Sequence, residues 1–102
     1  WKDEIVFVPL QDVLRLEAKS GYTHIYAKDG RKYISAKGLT EYEDLLPSSL
    51  FFRVHHSHII NLNHVKKYHK GRGGMIEMCD NAMIEVASRR KDEFLGMYGL
   101  KF

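Results

Sequence analysis

Short runs of apolar and polar residues in the β-period fill most of the 102-residue chain and predict antiparallel strands. Turn residues separate the runs. Asp29-Gly30 is the strongest hairpin signal, and Lys19-Ser20-Gly21 predicts a turn or bulge. The predicted strands are Glu4–Val8, Val13–Glu17, Tyr22–Ala27, Lys32–Ser35, Phe51–His55, His58–Leu62, Val65–His69, Met75–Met78 and Met83–Val86.

Two segments change to the helical period. Apolar residues spaced as one helix face predict a short helix over 38–46, which Pro47 ends. Ser88 is expected to cap a closing helix with an apolar side formed by Phe94, Leu95 and Tyr98. The pattern predicts a mainly β fold with two short helices.

Composition agrees with one folded domain over residues 1–102. The chain is 44% hydrophobic, has two prolines, and holds no apolar stretch near the ~20 residues that a membrane helix needs. It begins at Trp1 without a secretion signal, so we expect a fragment of a longer cytoplasmic protein that makes no membrane contact. Cys79 is the only cysteine, and we expect a buried, inert thiol.

The charge is unevenly distributed. The net charge is +3, yet residues 45–76 contain no acid, five Lys or Arg and five of the six histidines, which leaves −2 on the remainder. Such asymmetry suits a basic face that meets a polyanion, although basic side chains on several strands can also point in different directions.

The histidine-rich segment raises catalytic and metal-binding alternatives. His56 and His58 would share one strand face and supply two metal ligands, but a zinc site needs three or four. Ser57 lacks the glycines of a nucleophile elbow, and the glycines around Arg72 lack the Lys-Ser/Thr of a phosphate loop. We therefore predict no enzyme and no cofactor. A histidine-based metal site, or a protein-interaction module that uses exposed strand edges, stays as the alternative.

Turns between strands carry residue types that bond phosphates and base edges. The helix over 38–46 is acidic and would repel phosphate, so DNA contact would come from the turns and from the start of the last helix. The candidates are Lys19, Ser20, Tyr22, Thr23, His56, Ser57, Arg89 and Arg90.

Residues 51–62, Phe-Phe-Arg-Val-His-His-Ser-His-Ile-Ile-Asn-Leu, resemble the signature of the LytTR domain, and the likeness extends over residues 3–98. The resemblance implies elongated antiparallel sheets and sequence-specific binding to promoter DNA through loop side chains in successive major grooves. It also implies a homodimer on direct or imperfect repeats, and an N-terminal receiver domain in a bacterial two-component response regulator.

The resemblance also assigns roles by position. It implies a first DNA-contacting loop at Lys19–Thr23, a second at His56 and a third at Arg90, with Arg89 on phosphate. His56 stands where many members have Arg or Asn, so their base preference does not transfer. Arg53, a further DNA-binding candidate, and His55 either contact DNA or form a network that holds the loop, and both interpretations stay open. For Asn61 the structural role is favoured.

Overall fold

Two antiparallel sheets and two short helices form the chain in a computed structural model, which describes residues 5–71 and 73–98. This mainly β architecture confirms the predicted fold class. The strands are β1 Val13–Lys19, β2 Tyr22–Ala27, β3 Lys32–Ser35, β4 Phe51–His55, β5 His58–Asn61, β6 Val65–His69, β7 Met75–Met78 and β8 Met83–Glu85. The helices are α1 Leu39–Leu45 and α2 Lys91–Gly96, and 3-10 turns span Leu10–Asp12, Leu62–His64 and Ser88–Arg90.

The first sheet has the strand order β3-β2-β1-β5-β4, and the second has the order β6-β7-β8. Ser20 and Gly21 both have positive φ, 54° and 81°, as a two-residue type I′ hairpin turn requires, and they join Lys19 to its partner Tyr22. The predicted hairpin at Asp29-Gly30 is confirmed between β2 and β3, with Gly30 at φ 89°. The molecule is elongated, 49 × 24 × 23 Å.

Five of the nine residues of β4 and β5 are apolar, and all five are buried because both faces of these strands are covered. On one side they pack against the second sheet and α2, and on the other against α1. The first cluster is Phe52, Val54, Ile60, Ile76, Met78, Ile84, Val86, Phe94 and Leu95. The second cluster is Val13, Leu16, Leu39, Phe51 and Ile59.

The predicted strand Glu4–Val8 is wrong over its described part, since residues 5–8 form no strand. Ile5 and Phe7 are 79% and 88% exposed, and only Val8 packs against a core cluster. A β-branched, aromatic run forms a strand only where a neighbouring strand can pair with it. Glu4 itself lies outside the described residues.

Two further predictions are wrong. Ser88 does not cap α2, because residues 88–90 form a 3-10 turn, α2 begins at Lys91, and neither element has a side-chain cap bond. Cys79 is exposed, since it follows the fully buried Met78 into the β7–β8 turn. Arg72, in the predicted glycine-rich turn, lies outside the described residues. Within residues 5–71 and 73–98, no helix has the length and apolar character to span a bilayer.

Candidate nucleic-acid interface

One end of the first sheet gathers turns from distant parts of the chain. β1 and β5 are antiparallel neighbours, with Glu17 opposite His58, so β1 ends where β5 begins. The Ala18 N–H donates to the Ser57 carbonyl oxygen over 2.9 Å. The β1–β2 turn therefore lies beside the β4–β5 turn, residues 56 and 57.

A third segment joins the same end. The Ala87 N–H donates to the Val54 carbonyl over 2.8 Å, which fixes the 3-10 turn Ser88–Arg90 beside β4. An open concavity of about 180 Å³ lies between α1, the β4–β5 turn and this 3-10 turn. We call the β1–β2 turn, the β4–β5 turn and the 3-10 turn Ser88–Arg90 together the loop end.

Five of the predicted DNA-contacting residues are exposed at the loop end: Lys19, Ser20, Tyr22, His56 and Arg89. Ser57 and Arg90 are half-buried. Arg90 leans over the Phe52 ring, 5.8 Å from its centroid, and its Nη1 is 3.5 Å from Glu93 Oε1. Arg89 has neither restraint, so its guanidinium is the more available of the two.

Thr23 is the clearest departure from the sequence prediction. Only 1% of the residue is exposed, and its hydroxyl donates to the Lys37 carbonyl over 2.7 Å. Because Thr23 lies inside the sheet, its side chain ties β2 to the turn after β3 and presents nothing to a duplex. Thr23 is therefore removed from the candidate DNA contacts.

Arg53 is also engaged within the protein. Its Nη1 donates to Thr40 Oγ1 and Glu43 Oε1, each over 3.0 Å, and its Nη2 donates to the His56 carbonyl. Its side chain is only 16% exposed. These bonds form the network that was one of the two interpretations left open by the sequence, and a DNA contact of Arg53 would have to break them first.

His55 holds the β4–β5 turn from the other side. Its Nδ1 accepts the Ser57 N–H over 3.1 Å, and its Nε2 lies 3.9 Å from Glu85 Oε2. His55 therefore has the loop-holding role as well.

Burial lowers the pKa of His58, an effect reinforced by His55 and Arg15 and opposed by Glu17. Its Nδ1 is buried and has no hydrogen-bond partner among the described residues. His56 is exposed, and its Nε2 lies 3.3 Å from Ser57 Oγ. In the part of the chain that the structure describes, no three His, Cys, Asp or Glu side chains come close enough together to hold a metal ion.

The sequence did not predict a role for three residues near this end. Lys37 follows β3, and its backbone carbonyl holds Thr23; Thr40 and Glu43 of α1 hold Arg53. For Lys37 the available signal was a basic residue just before a helix, in the turn after a strand that pairs with Thr23. No local pattern indicates the pairing of Glu43 with Arg53, because ten residues separate them.

Comparison with known proteins identifies the family. The family model for the LytTr DNA-binding domain matches residues 3–99, nearly the whole chain. The chain belongs to the LytTR family of DNA-binding domains. The fold of this LytTR domain is similar to that of a solved structure, the "LytTr DNA-binding domain of putative methyl-accepting/DNA response regulator from Bacillus cereus". The TM-score is 0.85 at 28% identity, over 98% of this chain and 93% of that one.

Curated relatives of this LytTR domain are bacterial transcriptional regulators. It is 32% identical over 100 residues to "Transcriptional regulatory protein LytR" of Staphylococcus aureus, and the matched region covers 96% of this chain and 40% of that protein. It is 39% identical over 61 residues to "Heme-containing CO-sensing transcriptional regulator RcoM 2" of Paraburkholderia xenovorans, and the matched region covers 60% of this chain and 22% of that protein. The LytTR domain thus spans less than half the length of either relative.

Proposed function

We propose that this domain recognises specific sequences in duplex promoter DNA by inserting the side chains of the loop end into the major groove. The observation that carries the proposal is that three turns from distant parts of the chain converge on one end and expose polar, aromatic and basic side chains there. Rigid strands behind each turn limit the conformational entropy that binding would cost.

Exposure guides the assignment of roles. Three exposed residues are assigned to base edges: Tyr22 at the start of β2, His56 in the β4–β5 turn and Arg89 in the 3-10 turn. Lys19 and the half-buried Arg90 are assigned to phosphates. The two arginines thereby exchange the roles that the family resemblance implies, because Arg90 is restrained by Phe52 and Glu93 whereas Arg89 is free to reach a base.

Size favours two copies on paired sites. One domain presents three side chains that are assigned to base edges, Tyr22, His56 and Arg89, so it reads only a few base pairs. So short a site recurs many times in a bacterial genome, and specificity rises when two domains bind sites one helical turn apart. We therefore propose a homodimer on direct or imperfect promoter repeats.

The longer protein is proposed to be a transcription regulator of two-component type with a receiver domain preceding residue 1. The support is that relatives such as LytR of Staphylococcus aureus are transcriptional regulatory proteins, and that this domain corresponds to only 40% of LytR. Promoter DNA lies in the bacterial cytoplasm, so the proposal includes that location.

Fluorescence anisotropy with a duplex enriched from a random-sequence pool tests the DNA-binding function. With three or four phosphates neutralised, log K should fall with log salt at a slope of roughly −3, at about −0.9 per phosphate. Binding that does not change with salt would contradict the proposal.

A matched pair of lysines tests which end binds. Lys19 lies at the loop end, and Lys28 lies at the other end of the same sheet, where its N–H donates to the Asp12 carbonyl. Both side chains are exposed. Lys19→Ala should weaken binding several-fold and reduce the salt slope by about 1, whereas Lys28→Ala should change neither. Equal losses would argue against the loop end.

A further inference from the structure

The Arg53 guanidinium bridges helix α1 and the β4–β5 turn. On the helix side it bonds Thr40 and Glu43 through Nη1. On the turn side Nη2 donates to the His56 carbonyl, and Nε lies 3.4 Å from the His55 carbonyl oxygen. One planar group therefore contacts the backbone of the turn and the side chains of the helix at once.

The carboxylate of Glu43 fixes the plane of this group. The carbonyl oxygens are neutral acceptors, whereas the carboxylate adds an opposite full charge beside the guanidinium and so forms an ion pair with it. Glu43 accepts from Nη1 at 3.0 Å, and its side chain is 39% exposed, compared with 16% for Arg53. With Glu43 in place, the donors of Arg53 are directed at the turn and not at solvent.

The position of Glu43 is electrostatically unfavourable for a DNA-binding surface. It lines the same concavity as His56, Arg89 and Arg90, the residues proposed to face the duplex. A carboxylate there repels phosphate, and its removal should by charge alone tighten binding, by about twofold or less at a separation near the Debye length of roughly 10 Å. An acid at this place therefore needs a separate explanation.

We propose that Glu43 is a positioning residue for DNA recognition: by holding Arg53, it fixes the β4–β5 turn and so the place from which His56 meets the duplex. The inference rests on the proposed function. Charge alone predicts that loss of this carboxylate tightens DNA binding, whereas the positioning role predicts that its loss weakens sequence-specific binding.

The nearly isosteric substitution Glu43→Gln removes the negative charge and tests whether binding then weakens or tightens. Affinity for the enriched duplex should fall about fivefold, since the bond to Arg53 changes from an ion pair to a weaker bond with a neutral amide oxygen. Affinity for sonicated genomic DNA should change less than twofold, because phosphate contacts are kept. Asp44→Asn is the matched control, an exposed acid one residue further along α1, and it should leave binding to both DNAs equal or slightly tighter. If Glu43→Gln binds the enriched duplex as tightly as Asp44→Asn does, the proposal is wrong.

A measurement without DNA separates this inference from the proposed function. Backbone ¹⁵N relaxation of the free domain should show lower order parameters at His56 and Ser57 in Glu43→Gln than in the wild type, falling from near 0.85 toward 0.6, with no change in Asp44→Asn. An unchanged turn in Glu43→Gln would overturn the positioning role even if every variant bound DNA. Failure of the wild type to bind any duplex, with a loosened turn in Glu43→Gln, would refute the function and keep the structural pairing.

Discussion

Asn61 tests whether a polar residue of the family signature acts through stability. The residue is fully buried at the end of β5. Its Nδ2 donates to the Val13 carbonyl, and its Oδ1 accepts the Asn63 N–H, each over 2.9 Å. Asn61→Ala removes both bonds and leaves the Val13 carbonyl without this donor, which disconnects the start of β1 from the end of β5.

The expected cost follows from these contacts. A buried group left unsatisfied costs about 1–3 kcal/mol, and a typical hydrogen bond contributes about 0.5–1.5 kcal/mol, so Asn61→Ala should lose roughly 2–4 kcal/mol. Small domains have a free energy of unfolding of about 5–15 kcal/mol. A loss near 3 kcal/mol should lower Tm by roughly 12–24 °C, at about 4–8 °C per kcal/mol.

Urea unfolding followed by circular dichroism measures this loss, with an unchanged m value as the sign of a pure stability effect. Asn63→Ala is the control, because Asn63 contributes only its main-chain N–H, and it should cost less than about 0.5 kcal/mol. A loss below about 1 kcal/mol for Asn61→Ala would refute the reasoning. Loss of DNA binding at a temperature where Asn61→Ala is fully folded would instead make Asn61 a DNA contact.

Three more predictions concern single side chains. Arg89→Ala should cost about 1–3 kcal/mol of specific binding and relax one base position, measured by anisotropy with single-base variants of the enriched duplex. Because burial lowers the pKa of His58, this histidine binds a proton more readily in the unfolded chain than in the folded one. Its contribution to the free energy of unfolding should therefore be fully present above about pH 6.5 and be lost as the pH falls through the folded pKa. Urea unfolding at pH 7.5 and 5.5 should show a smaller loss in His58→Gln than in the wild type. Burial raises the pKa of Tyr98 to about 12, and its hydroxyl donates to the Leu62 carbonyl, so Tyr98→Phe should cost about 1 kcal/mol in the same assay.

Each of these has a contrary outcome. A uniform loss over all DNA sequences would make Arg89 a phosphate contact. A pH dependence in His58→Gln equal to that of the wild type would exclude His58 as its source. Wild-type stability in Tyr98→Phe would mean that the Leu62 carbonyl finds an equally good donor in water.

Local patterns predicted the regular elements well, because the interactions that form them lie close in sequence. The hairpin at Asp29-Gly30 depends on a glycine that accepts positive φ, and the flanking strands Tyr22–Ala27 and Lys32–Ser35 follow from the alternation of side chains. The resemblance of residues 51–62 to the family signature predicted elongated antiparallel sheets, and the elongated pair of sheets in the structure confirms this prediction.

Errors arose where the outcome depends on distant partners. Residues 5–8 have strand propensity, yet no strand pairs with them. Thr23 has the right chemistry for DNA, but the Lys37 carbonyl, fourteen residues away in sequence, accepts a hydrogen bond from its hydroxyl. For Arg53 the sequence left both roles open, and only the fold shows that Glu43, ten residues away, engages it. Residue type alone does not show which polar side chains the fold uses for itself.

Residue type alone also did not show which side chains the fold buries. Cys79 belongs to a residue type that is usually buried, but the neighbouring Met78 fills the core and the chain then turns outward. Arg89 and Arg90 look equivalent in sequence, and only the Phe52 ring and the Glu93 carboxylate distinguish them.

Mapping the bound duplex onto the domain by NMR tests the central claim most directly. Adding the enriched duplex to ¹⁵N-labelled protein should shift the amide signals of residues 19–22, 56–57 and 88–90 and leave those of 28–31, at the opposite end of the first sheet, unchanged. Shifts concentrated at residues 28–31, with the three turns of the loop end unaffected, would contradict the account.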